Sequence, residues 1–85
     1  MTLQQLKYVI EVARNRSISK AAQRLFISQP SLSNAIKELE NELGITIFSR
    51  TNKGIVITPE GSKFLGYARQ VIEQSDLLEN RYSNT

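Results

Sequence analysis

The run from Ser28 to Leu43, S-Q-P-S-L-S-N-A-I-K-E-L-E-N-E-L, constrains the chain most, because its apolar residues share one side only if it is a helix. Leu32, Ala35, Ile36, Leu39 and Leu43 recur at helical spacing and form one stripe. Gln29, Ser33 and Lys37 fall on another face, with Pro30, Asn34 and Asn41 beside them. Ser28 is a helix-capping residue, Pro30 sits in the first turn where an amide hydrogen has no partner to lose, and Gly44 stands just past the end. One face is therefore built to be buried. The other offers amide, hydroxyl and ammonium groups, densest near the N-terminus, that suit base edges and phosphates.

The segment before it sharpens this reading. Ser17 or Ser19 caps a short helix from Ile18 to Leu25 or Phe26, with Ala21, Ala22 and Leu25 facing inward. Only Ile27 and its immediate neighbours separate this helix from the next. Two helices joined by so short a turn, the second with a polar outer face, form a helix-turn-helix pattern. Ahead of both, Thr2 and Gln5 make a capping box for a first helix that runs to about Arg14, with Leu3, Leu6, Val9, Ile10 and Ala13 as its apolar stripe.

After Gly44 the periodicity changes. Ile45, Ile47 and Phe48 are followed by the polar turn Arg50-Thr51-Asn52-Lys53-Gly54 and then by Ile55, Val56 and Ile57. This predicts a two-stranded hairpin with a basic tip, a wing. Thr58-Pro59-Glu60-Gly61 then opens a last helix, Thr58 capping it and Pro59 in its first position. It can continue to about Tyr82, which is long for so small a body. Phe64, Ala68, Val71, Ser75, Leu78 and Tyr82 make a heptad-like seam, and Leu65 and Ile72 add a second apolar line. A helix with two apolar lines can pack on its own domain and on a partner at once, so these residues predict a dimer interface. The alternative is a broad stripe that only covers the core. Ser83-Asn84-Thr85 reads as a frayed end or the start of a linker.

Composition narrows the function. The chain has 85 residues, enough for one small domain, and a core of that size gains from a second subunit. There is no cysteine and no histidine, which removes disulfides, thiolate metal sites and the commonest general base. Glu38, Glu40 and Glu42 fan around a helix and do not converge; they are expected to face solvent or pair with nearby bases. An enzyme is not indicated, nor any cofactor or metal. M-T-L-Q-Q-L-K lacks a signal pattern and no apolar run approaches a membrane span, which predicts a cytoplasmic protein with no membrane partner.

Net charge is only +3, but its placement is uneven. No Asp or Glu occurs from Val12 to Ile36, where Arg14, Arg16, Lys20 and Arg24 all lie. Acid collects in Glu38, Glu40 and Glu42, and again in Glu73, Asp76 and Glu79. A basic front with acidic flanks predicts a polyanion on one side.

These features together resemble the N-terminal DNA-binding domain of LysR-type transcriptional regulators. The likeness is carried by L-Q-Q-L-K-Y-V, S-I-S-K-A-A-Q-R-L, I-S-Q-P-S-L-S-N-A-I-K-E-L-E-N-E-L-G, I-F-S-R-T-N-K-G and I-T-P-E-G, which cover nearly the whole chain. It implies a mostly α fold: a winged helix-turn-helix of three helices and a two-stranded β-wing over residues 1–58, then a long linker and dimerisation helix over 59–85. It implies a homodimer through that helix, tetramers in the full-length protein, and a small-molecule effector bound only by a C-terminal domain that this chain does not include.

On that resemblance, Gln29, Pro30, Ser33, Asn34 and Lys37 face the major groove and contact bases. Ser19, Lys20, Ser28 and Ser31 contact the backbone, and Arg50, Thr51 and Lys53 of the wing meet the backbone or the adjacent minor groove. The expected target is an A·T-rich interrupted inverted repeat. Asn34 stands where the family often has Arg, a change that favours adenine over guanine. The competing reading is a winged helix kept as a protein-interaction module. Against it, the polar face of the Ser28 helix lacks the aromatic or aliphatic anchors that such a surface uses.

Overall fold

Each helix begins at a residue that can satisfy its free amides. In the computed structural model, which describes residues 1–83, the elements run α1 (Leu3–Asn15), α2 (Ile18–Leu25), α3 (Gln29–Leu43), β1 (Phe48–Thr51), β2 (Gly54–Ile57) and α4 (Pro59–Ser83). Asn84 and Thr85, part of the expected terminal tail, lie outside the described residues. Thr2 and Gln5 form the reciprocal capping box of α1, Ser17 Oγ accepts the Lys20 amide hydrogen at α2, and Ser28 Oγ accepts that of Ser31 at α3.

The three N-terminal helices all end in a left-handed residue. Only the third uses glycine, Gly44 at φ 70°. Arg16 closes α1 at φ 52° and Phe26 closes α2 at φ 58°, both side chains exposed. Non-glycine residues reach this region at a cost, because Cβ crowds the backbone.

The core is a single cluster in which α1, α2 and α3 meet. Val9, Val12, Ala21, Leu32, Leu39 and Ile47 are all fully enclosed. The two alanines Ala21 and Ala22 bring α2 close to its neighbours, as their inward placement predicts. β1 and β2 pair antiparallel with Phe48 opposite Ile57 and Thr51 opposite Gly54. The turn itself is only Asn52 and Lys53, and Gly54 takes the positive φ of 123°. Arg50 and Thr51 therefore belong to β1 rather than to the tip.

α4 contributes Leu65 to this cluster and packs along α1. Leu65 and Ala68, expected at a dimer interface, are each 2% exposed within the single chain. Their position is set by Gly61: a Cβ there would fall 2.3 Å from the Ile47 carbonyl oxygen, so the helix backbone lies directly on the chain before β1. Gly61, Leu65, Ala68, Ile72 and Ser75 consequently form the inward face. Val71, Leu78 and Tyr82 stay exposed, joined by Tyr67 and Leu77, while Phe64 is half-buried. The overall fold is thus mostly α: a three-helix core, a two-stranded wing, and a helix that reaches beyond the body.

Candidate nucleic-acid interface

The α2–α3 turn decides which residues point outward. Ser28 stays extended at φ −72°, and Pro30 occupies the first turn of α3. Leu32, Ile36 and Leu39 then face the core, which leaves Gln29, Pro30, Asn34 and Lys37 on the outer face, all exposed. Ser33 is half-buried on the side of α3 nearest the wing. Its Oγ accepts a hydrogen bond from Arg50 Nη2 at 3.2 Å. A groove lined by Ser33, Asn34, Lys37, Glu40, Phe48 and Arg50, among others, runs between α3 and β1.

Lys53 is at the wing tip as expected. Thr51 is not free in the way a phosphate donor would be: its hydroxyl donates to the Gly54 carbonyl at 3.1 Å and accepts the Lys53 amide hydrogen at 3.2 Å. That hydroxyl holds the two-residue turn. Ser28 is similarly engaged, donating to Ser31 Oγ at 2.8 Å while it caps the helix. Ser31 keeps its own hydroxyl hydrogen to offer, next to the amide-rich end of α3. Ser19 and Lys20 are exposed on the first turn of α2.

A second cleft, of about 400 Å³, opens between the start of α2 and the wing. Gln29, Ser19, Arg50 and Lys53 all line it, so the structure brings together residues from three elements that are far apart in sequence.

Glu40 is the clearest departure from expectation. It does not face solvent or pair with a base. Its Oε2 accepts the amide hydrogens of Ile47 at 2.6 Å and Phe48 at 3.2 Å, tying α3 to the start of the wing. Glu42 pairs with the N-terminal ammonium of Met1 at 2.7 Å, and Glu38 is exposed. On the other side of the same segment, the Ile47 carbonyl accepts the Thr58 amide hydrogen at 3.0 Å. The Thr58 hydroxyl donates to the Thr46 carbonyl and accepts the Gly61 amide hydrogen at 2.9 Å, so Thr58 caps α4 as its sequence predicts.

A helix-turn-helix whose second helix exposes amides and a lysine, flanked by a basic hairpin, defines the winged-helix class of DNA-binding domain. The particular family follows from comparison with known proteins. Residues 3–62 match the model of the bacterial regulatory helix-turn-helix proteins of the lysR family, and the chain belongs to that family. It is 44% identical over 78 residues to the uncharacterized HTH-type transcriptional regulator YcgK of Bacillus subtilis (strain 168), covering 92% of this chain and 24% of that protein. It is 40% identical over 81 residues to the HTH-type transcriptional regulator ClcR of Pseudomonas putida, covering 95% of this chain and 28% of that one. The chain thus spans about a quarter of the length of these relatives.

Two solved DNA complexes have the same fold. The BenM DNA-binding domain bound to catB site 1 DNA superposes with a TM-score of 0.90 at 39% identity, covering 94% of this chain and 86% of that one. The CbnR DNA-binding domain bound to DNA gives 0.90 at 37%, covering 95% and 93%. Among the described residues, no helix is long and apolar enough to cross a membrane.

Proposed function

We propose that this chain is the DNA-reading part of a transcriptional regulator, binding an A·T-rich interrupted inverted repeat as a homodimer. The observation that carries this reading is the single surface on which the outer face of α3 and the wing stand side by side. That surface exposes Gln29, Pro30, Asn34, Lys37 and Lys53 and has no carboxylate in the cleft between α2 and the wing. Its likeness to two domains solved on DNA supports it.

In this reading α3 enters the major groove. Gln29 and Asn34 each pair with adenine through the N6–H and N7 edge, and Pro30 meets a thymine methyl. Ser33 and Lys37 complete the base contacts from the same face. Ser19, Lys20, Ser28 and Ser31 hold one strand's phosphates, Ser28 through the helix end it caps. Lys53, with Arg50 and Thr51 behind it, follows the backbone into the narrow minor groove that A·T-rich DNA provides. Asymmetry along α3 supports the orientation: its C-terminal half carries Glu38, Glu40 and Glu42, which repel phosphate.

The partner copy pairs through the exposed line of α4, with Val71, Leu78 and Tyr82 at its centre and Tyr67, Leu77 and the half-buried Phe64 at its margins. Residues 1–58 then read DNA and residues 59–85 hold the pair. Tetramers, a cytoplasmic location and an effector bound by a further domain belong to the full-length regulator. Fluorescence anisotropy against duplexes selected from random DNA, at two salt concentrations, tests the proposal. Tight, salt-sensitive binding to inverted repeats is expected; binding that does not respond to salt or sequence would return the surface to the protein-interaction reading.

A further inference from the structure

Among the described residues, Arg16 is one of two non-glycine residues held in the left-handed region, the other being Phe26. It closes α1 in the left-handed region at φ 52° and ψ 32°, where glycine is the ordinary occupant. A non-glycine residue held there points to a role for its side chain. The side chain forms no ion pair: among the described residues the ion pairs are Met1 with Glu42 and Arg14 with Glu11.

The turn it occupies abuts the wing, since a Cβ at Gly54 would lie 3.9 Å from the Arg16 carbonyl oxygen. Arg16 lines the same cleft as Ser17, Ser19, Gln29, Arg50 and Lys53. Three cations thus converge on one concave surface, with hydroxyl donors beside them and no acid in its lining. Gln29, which the reading above turns to the major groove, lines one side of the cleft and the wing the other, so a DNA backbone that follows from one to the other runs past it.

We propose that Arg16 is a further DNA-binding residue, seating a backbone phosphate in the cleft between the start of α2 and the wing. This rests on the DNA-binding reading above. The contact is to phosphate and so is independent of sequence, and it supplies a positive charge from a turn rather than from the recognition helix or the wing tip. It gives the α1–α2 connection a part in binding that its position outside the helix-turn-helix does not suggest.

The test uses the backbone cost and the charge in opposite directions. Arg16→Gly relieves the left-handed strain, so the melting temperature of the 85-residue chain should hold or rise. The same change should weaken binding to selected and random duplexes alike and lower the slope of log K against log salt by about 0.9, the value of one phosphate contact. Arg16→Lys keeps the charge and should keep the slope. An unchanged slope in Arg16→Gly, with the unaltered chain binding DNA in a salt-sensitive way, overturns the assignment of Arg16 alone. A fall in stability that accompanies the loss of binding also overturns it, because Arg16 would then be acting through the fold. Failure of the unaltered chain to bind DNA overturns the DNA-binding reading first, and this assignment with it.

Discussion

Glu40 Oε2 lies 2.6 Å from the amide nitrogen of Ile47, a contact that joins α3 to the chain leading into the wing. The same oxygen takes the Phe48 amide hydrogen. Two half-buried backbone donors therefore depend on one carboxylate. Glu40→Ala leaves both without that acceptor and should cost about 1–3 kcal/mol of stability, read from the denaturant midpoint. Glu40→Gln, which keeps an oxygen in place, should recover much of the loss. Equal losses for the two variants would show that the contact contributes little.

Gln29 and Lys53 should separate by the kind of contact each makes. Gln29→Ala should lose about 1–3 kcal/mol at the preferred site and relax base preference there. On random DNA it should change little. Equal losses on both would remove Gln29 from base reading.

Lys53→Ala should weaken all sequences by a similar factor and reduce the salt slope by about 0.9. A loss confined to the preferred site would move Lys53 from the backbone to a base edge.

The two apolar lines of α4 predict opposite behaviour. Leu78, 62% exposed, can be changed to Glu with little effect on a single chain, and if two chains pair along α4 as proposed, the change should leave them separate in sedimentation equilibrium. Leu65→Ala should instead lower stability by about 2–5 kcal/mol, because it empties a filled position between α4 and the core. A Leu78→Glu chain that remains paired would place the partner elsewhere.

Gly61→Ala should destabilise the chain despite alanine's preference for helices, which favours it by about 1 kcal/mol. The new Cβ meets the Ile47 carbonyl oxygen at 2.3 Å, and backbone cannot yield as a flexible side chain does. Overpacking of this kind costs about 1–3 kcal/mol or more, seen as a lower melting temperature.

Much of this fold is legible from caps and periodicity. Thr2, Ser17, Ser28 and Thr58 each mark a helix start, and Gly44 and Gly54 mark places where φ turns positive. Those signals are local, so a sequence displays them. Glu40 is different. Its partners are backbone amides seven and eight residues away, and backbone donors carry no residue type to notice. Arg16 and Phe26 enter the left-handed region without a glycine or asparagine to announce it. In α4 the heptad-like spacing is plain, but the expected seam is divided: Ala68 and Ser75 turn inward with Leu65 and Ile72, while Val71, Leu78 and Tyr82 stay exposed. What assigns Leu65 and Ala68 to the inside is the bare backbone of Gly61 against Ile47, a tertiary contact with no side chain on the helix side. Tyr67 is exposed on the outer face for the same reason, although it stands outside the expected seam.

The peptide groups around Ile47 are gripped from two directions: its N–H by Glu40 of α3, its C=O by the amide of Thr58 at the head of α4. α3 and α4 are therefore both bonded to the backbone of one residue, in addition to their packing in the shared core. If two chains pair along α4 as proposed, this joint helps to fix the separation of their two α3 helices, and with it the spacing of the half-sites they read together.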